Sequence, residues 1–403
     1  MILLRRGLLG LGGLAVLFAV FAAGLYVDQS YPEYVPVLHL GAQPRAQLDR
    51  ATSDQALRVI EANYYDSHVD FGKLSAGSVR GMVQALGDPY TQYLSAEDFR
   101  AQKEQYAGRH SGMIGITVNF KDGYPVVASV LPNSPALRAG LKTGDLIQAI
   151  NGTDTHNLSQ DQTAALIRGA AGTAVTLHVS RGGAELDVQV TRGNFQSPTV
   201  QSLRLEDGAL YMRIYQFGDS TQREFDDELG VGLPGARAVV LDLRDNGGGF
   251  IDKARAVISR FVESGEAFEQ RGRDGRVVKT NVDGNHPAAT LPLVVLVNEN
   301  TASASEIVAG ALQARSRAHL VGVKTFGKGS VQVDYQLSDG GDLHLTVGHW
   351  FLPNGQSIDK KGLTPDAAVS LPDKLSMYDP VNPARGHAAD AQLNRALTLV
   401  APQ

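Results

Sequence analysis

The chain has 403 residues, enough for two or three domains, and its 43% apolar and 20% charged content is that of an ordinary globular protein. A formal net charge of −5 offers no basic surface for nucleic acid, so nucleic-acid binding is set aside. Cysteine is absent, which fits an extracytoplasmic protein that avoids disulfide scrambling.

Residues 7–27 are uncharged and follow Arg5-Arg6. That length spans a bilayer as a helix, with the arginines on the cytoplasmic side. A cleaved signal peptide is the competing reading, because Ala22-Ala23-Gly24 supplies small residues for cleavage. Residues 1–27 are therefore expected to be a membrane anchor or signal peptide, either of which exports the rest of the chain to the periplasm or the outer face of the cell membrane. Residues 28–45, rich in Pro and Tyr, read as a linker. From 46 to 107 the apolar residues Ala56, Leu57, Ile60, Tyr64, Tyr65, Val79, Met82 and Leu86 recur at helical spacing, and Asp88-Pro89 breaks the run. A helical platform is expected there.

The composition changes at Gly108. Short strands (112–120, 124–130, 145–150, 174–179, 186–191) alternate with two helical stretches (134–139, 159–169). The run from Ser134-Pro135-Ala136 through Gly144-Asp145 to Ile150-Asn151-Gly152 closely resembles a PDZ domain, which places that domain at 108–195. Met113, Ile114, Gly115 and Ile116 match the loop and strand that receive a peptide's C-terminus in that family. The physical logic is strand addition: loop amides hold a terminal carboxylate while the peptide pairs with the strand that follows.

Strands and helices alternate from about Val200, as in an α/β layer. Strands are predicted at 210–214, 238–243, 293–297 and 319–323, with helices at 220–229, 250–264 and 303–315 between them. After Lys328 the apolar residues alternate, so an antiparallel flank is expected to complete the sheet. The core is assigned to 196–373 and a C-terminal tail carrying a helix to 374–403. The predicted fold is thus multi-domain α/β: N-terminal membrane helix, helical platform, inserted PDZ domain, and an α/β catalytic core with a mixed sheet.

In a strand–helix–strand unit both strands open their carboxyl ends on one sheet edge. Ser303 lies just past the strand at 293–297, and Lys328 just past that at 319–323. The third loop on that edge, Arg244-Asp245-Asn246-Gly247-Gly248-Gly249, exposes backbone amides able to approach a developing oxyanion. Read alone, Ser303-x-x-Glu306 is a helix capping box, but a nucleophile at a helix N-terminus gains from the same dipole. The segment 322–328 superficially suggests a phosphate loop, yet Gly329 stands where Ser or Thr would hold magnesium, and a strand follows instead of a helix. Neither His319 nor His349 has an acidic partner at an interpretable spacing, and both are read as structural; no cofactor or metal is expected.

Together the Ser303 segment, Gly327-Lys328-Gly329-Ser330-Val331-Gln332 and Leu241-Asp242-Leu243-Arg244-x-Asn246 resemble the carboxy-terminal processing peptidases, Ser-Lys endopeptidases with an inserted PDZ domain. The likeness extends to Gly87-Asp88-Pro89-Tyr90-Thr91, Leu166-Ile167-Arg168-Gly169 and Pro353-x-Gly355-x-x-Ile358 with Gly362-x-x-Pro365-Asp366. It implies Ser303 as nucleophile, Lys328 as base and Gln332 as the residue orienting the lysine. The oxyanion donors it implies are the amide of Ala304 and one glycine of Gly248-Gly249. Thr301 replaces the family's first serine, and Gly247 stands where it usually has proline. The resemblance also implies protein substrates with apolar free C-termini, a PDZ domain that gates the site with Arg168 in the switching segment, and partners that include an adaptor protein or a second copy of the chain.

A lysine acts as a base only when neutral, so its ordinary pKa of about 10.4 must fall, as burial away from any acidic neighbour would make it do. Phe326 and the apolar helix 307–312 are the expected source of that dryness. Ser305 is the alternative nucleophile. A membrane-tethered PDZ scaffold that captures C-termini without cutting them is the non-enzymatic alternative.

Overall fold

The computed structural model describes residues 49–66 and 68–401. The predicted membrane segment and linker lie outside them, and among the described residues no helix is long and apolar enough to cross a membrane. The chain divides into two compact units, residues 1–72 and 73–403. In the first, Asp49 caps helix α1 (Arg50–Asn63), which buries none of its residues. Helix α2 (Phe71–Gln84) buries none either, and Met82, near its end, is exposed. The apolar periodicity there correctly marks helices but not a core. A short strand β1 (Gln92–Leu94) then interrupts the expected all-helical platform before α3 (Ala96–Tyr106), which Ser95 caps.

The next region is a small barrel-like β domain. Its elements are β2 (Arg109–Met113), β3 (Ile116–Lys121), β4 (Tyr124–Val130), α4 (Pro135–Arg138), β5 (Leu146–Ile150), β6 (Thr153–Asp154), α5 (Gln160–Ile167), β7 (Ala174–Arg181), β8 (Ala184–Thr191) and β9 (Gly193–Gln196). The main sheet runs β3-β4-β5-β7-β8, with β6 against β5, so β3 is an edge strand with an open side. A core of Ile114, Val127, Ile147, Val175, Leu177 and Val179 holds it together.

The α/β layer follows: β10 (Val200–Arg204), β11 (Leu210–Ile214), α6 (Thr221–Gly232), β12 (Val239–Asp242), α7 (Ile251–Ser259), β13 (Glu266–Gly272), β14 (Val277–Asn281), β15 (Leu293–Val297), α8 (Ala304–Ala314) and β16 (His319–Gly322). The central sheet β10-β11-β12-β15-β16 is parallel from β11 onward. Its strands are buried on both faces, which is why they read as unbroken apolar runs. Val239, Leu241, Val295 and Val297 point into one core with Ile307 and Leu312 of α8. Val240, Val294 and Leu296 point into the other.

The expected antiparallel flank proves to be a separate sheet. Strands β17 (Ser330–Gln336) and β18 (Asp342–Phe351) join β13, β14 and β1, while only β19 (Ala367–Ala368) extends the parallel sheet past β16. Alternation after Lys328 predicts strands but cannot say which sheet they enter. The closing helix α9 (Ala391–Leu399) packs Leu393, Ala396 and Leu397 onto the second core face. The buried Arg244 fixes it by bridging Asp242 (2.6 Å) and Asp390 (2.9 Å).

Candidate active site

Three loops meet at the carboxyl ends of β12, β15 and β16. The first is organised by the buried Asn246. Its Nδ2 donates to Ile214 O (2.8 Å), and its Oδ1 accepts from Gly248 N (2.9 Å). Its carbonyl accepts from Ala302 N (3.1 Å) and Ser305 Oγ (2.9 Å). The three hydroxyl residues of the second loop therefore separate by role. Thr301 Oγ1 donates to Leu243 O (2.9 Å) and accepts from Asn298 N (2.9 Å), and Thr301 and Ser305 are fully buried. Both are ties between loops. Ser303 instead occupies φ 55°, ψ −119° at the N-cap of α8. An L-residue held there costs of order 1–3 kcal/mol, and the surrounding ties supply it.

Gly248 lies directly against Ser303. A Cβ at position 248 would stand 2.8 Å from Ser303 Cβ and 2.9 Å from Ala304 N, at a φ of 103°. The amide of Gly248 is taken by Asn246, whereas those of Gly249 and Ala304 have no acceptor among the described residues. Gly247, in the usual proline position, has open space around it.

Glu306 joins the second loop to the third, a role that the capping-box reading only half discloses. Its buried carboxylate accepts from Ser303 N (3.0 Å) and Lys328 N (2.9 Å) through Oε2. Through Oε1 it accepts from Gly327 N (2.8 Å) and Thr325 Oγ1 (2.5 Å). Burial pushes its pKa up, against these four donors, which pull it down. One oxygen thus holds the backbones of residues 303 and 328 together. The two side chains are not hydrogen-bonded to each other here.

The Lys328 loop is glycine-bracketed because another loop crosses it closely. A Cβ at Gly327 would stand 2.7 Å from Gly362 N, and Lys360 N donates to Gly327 O (2.8 Å). This explains the 353–366 motif: it backs the lysine loop. The expected contribution of Phe326 to the dryness is corrected. Phe326 is 56% exposed; the cover comes from Tyr90, whose ring centroid lies 5.0 Å from Lys328 Nζ. Partial burial lowers the Lys328 pKa, while the charge of Asp88 works in the opposite direction. Burial wins, but the site is not free of acidic influence as expected. Asp88 accepts from Tyr90 N (3.0 Å) and Thr91 Oγ1 (2.6 Å), so one short turn carries both the cover and the opposing charge.

Gln332 follows a bulge in β17, and its Nε2 donates to Ser330 Oγ (2.8 Å) and Thr346 Oγ1 (3.1 Å). It makes no hydrogen bond to Lys328 here. His319 is exposed at the start of β16, and His349 lies 4.0 Å from Asp359 on β18.

In the β domain, Met113 ends β2 and Ile116 begins β3, with Ile114 buried between them. The carbonyls of Ile114 and Gly115 accept from Ala136 (2.8 Å) and Leu131 (2.9 Å). Their amides have no acceptor among the described residues. The loop thus presents donors beside an open strand edge, as a terminal carboxylate requires. Arg168 is exposed and makes no ion pair among the described residues. The charge that meets the last carbonyls of α5 is Arg192, bonded to Ile167 O (2.6 Å) and Leu166 O (3.2 Å).

Family models match this chain for peptidase family S41 over residues 208–369, a PDZ domain over 112–191 and the N-terminal domain of the activating protease CtpB over 39–98. The carboxy-terminal processing protease CtpA of Bacillus subtilis (strain 168) is 35% identical over 333 residues, covering 81% of this chain and 70% of the relative. A probable CtpA-like serine protease of Staphylococcus haemolyticus is 32% identical, covering 80% of this chain; the chain spans 65% of that relative's length. The solved photosystem II D1 C-terminal processing protease is 27% identical with a TM-score of 0.53, covering 81% of this chain and 95% of its own. The chain therefore belongs to the carboxy-terminal processing proteases of peptidase family S41 and is a PDZ-containing serine-type peptidase.

Proposed function

We propose that the protein cleaves protein substrates near their C-termini with Ser303 as nucleophile and Lys328 as general base. The observation that carries this reading is the Glu306 carboxylate, which ties the backbones of both residues at one sheet edge, beside amides that lack acceptors. Ser303 Oγ gives its proton to neutral Lys328 Nζ and attacks the scissile carbonyl carbon. The oxyanion receives hydrogen bonds from Ala304 N and from the Gly248-Gly249 pair, where Gly249 has the unengaged amide. Collapse breaks the C–N bond, Lys328 returns the proton to the leaving amine, and water then hydrolyses the acyl-enzyme by the same route. Gln332, with its amide nitrogen engaged by Ser330 and Thr346, keeps its carbonyl oxygen for the lysine.

The same reading gives the PDZ domain the substrate's apolar free C-terminus, held by the amides of 114–115 and paired along β3. It also gives it a gating role in which exposed Arg168 takes part. The apolar segment 7–27 behind Arg5-Arg6 supports placement outside the cytoplasm, tethered or released. An adaptor protein and a second copy of the chain are the proposed partners. The decisive experiment compares a peptide bearing a free apolar C-terminus with its C-terminal amide. Cleavage of the first and not the second supports the reading; capture of the first without cleavage favours a non-catalytic scaffold.

A further inference from the structure

The β17–β18 hairpin carries a polar cluster that the peptidase chemistry does not use. Asp334 faces His344 across the strand pair, and Asp342 faces Gln336 on the next rung. Residues two apart on a strand share a face, so Asp342 and His344 lie on the same side of β18. His344 Nδ1 is 2.5 Å from Asp334 Oδ1. One ligand-type atom from each of Asp334, Asp342 and His344 lies within 4.8 Å of the others.

Asp342 is the informative member. It is fully buried, and neither carboxylate oxygen has a hydrogen-bond donor among the described residues. A buried carboxylate without a partner is costly, and such a group calls for a counter-charge. Lys103 on α3 acts on it only weakly and makes no ion pair with it; its ammonium sits 4.1 Å from the Phe99 ring centroid. Of the other groups felt at Asp342, Asp334 has the same sign and acts more strongly than the imidazole of His344, which opposes it. Three ligand-type atoms, two carboxylate oxygens and one imidazole nitrogen, thus lie within reach of one another.

We propose that Asp334, Asp342 and His344 form a binding site for a divalent transition cation of the zinc class, with water completing the coordination. Imidazole and carboxylate ligands suit zinc, whereas a calcium site would call for more oxygens and no nitrogen. Tetrahedral coordination with bonds near 2 Å sets ligands roughly 3.3 Å apart, so binding would open the 2.5 Å His344–Asp334 contact and draw in any ligand atom lying farther out, within the 4.8 Å the cluster spans. The position also matters. Gln332 faces Thr346 one rung further along the same two strands, so the ion would brace the ladder that carries Gln332. Because these residues touch neither Ser303 nor Lys328, the proposal stands independently of the catalytic reading.

The test uses the full chain stripped of metal by a chelator, then titrated with zinc, manganese, calcium or magnesium chloride. Isothermal calorimetry and thermal melting are the readouts. The proposal predicts one zinc or manganese ion per chain, a raised Tm, and at least tenfold weaker binding in Asp342→Asn and in His344→Ala. His344→Ala, lying at the partly exposed rim, keeps the test valid if the buried variant fails to fold. Absence of binding, binding unaltered in both variants, or a preference for calcium would overturn it.

Discussion

The two sides of the candidate active site are built differently. The Ser303 side is local and closed. Thr301, Ser305 and Asn246 are buried; Thr301 bonds to Leu243 O and Ser305 to Asn246 O, which ties together the ends of adjacent parallel strands. The Lys328 side is assembled from afar and stays half-open. Its cover is Tyr90, more than two hundred residues upstream, and its opposing charge is Asp88 from the same turn. On the proposed reading the nucleophile is therefore fixed by the fold, whereas the base is adjustable. Anything that moves the 87–91 turn changes both the burial of the lysine and the carboxylate beside it.

That contrast can be broken deliberately. Ser303→Ala or Lys328→Ala should lower kcat by roughly 10⁴-fold or more with the fold retained; circular dichroism and a fluorogenic peptide assay check both at once. Glu306→Ala removes the link between the two sides and leaves Ser303 N, Lys328 N and Gly327 N without their acceptor. It should cost about 1–3 kcal/mol in stability for each buried group so orphaned, together with a large loss of activity, both visible in denaturant melts and steady-state rates. Gly248→Ala should reduce kcat by roughly 10²-fold with little effect on KM, because the added methyl meets Ser303 and Ala304 where the oxyanion forms.

The smallest effect is the most diagnostic of the adjustable side. Lys328 must be neutral to act, so kcat/KM rises with pH as the ammonium loses its proton, below the ordinary lysine range because burial lowers its pKa. Asp88 raises that pKa, so Asp88→Asn should shift the rising limb to lower pH and give a few-fold gain near neutrality. A limb that stays put would show that the turn does not tune the base.

Sequence patterns revealed the parallel layer because its strands are buried on both faces and capped by glycine-rich loops, a strong signal. They put Ser303 and Lys328 on one sheet edge because that placement follows from strand order, whereas the roles proposed for them come from the family resemblance. The function of Glu306 was half legible: a capping box fixes its bond to Ser303 N, but only the crossing of two loops brings Gly327 and Lys328 to the same carboxylate. Tyr90 as cover, Arg192 as the α5 cap and the orphan Asp342 were not legible. Each depends on packing between segments far apart in the chain, which periodicity does not encode. The apolar stripe of α1 misled in the opposite direction, since Leu57, Ile60 and Tyr64 are exposed.

The central claim is that a neutral Lys328 activates Ser303 and neither neighbouring hydroxyl. The most direct measurement is labelling with a covalent serine-directed probe across a pH series, read by peptide mass spectrometry. The account predicts one modified residue, Ser303, with a rate that climbs with pH in the wild type and collapses in Lys328→Ala. Label on Ser305 or Thr301, or an undiminished rate without the lysine amine, would contradict it.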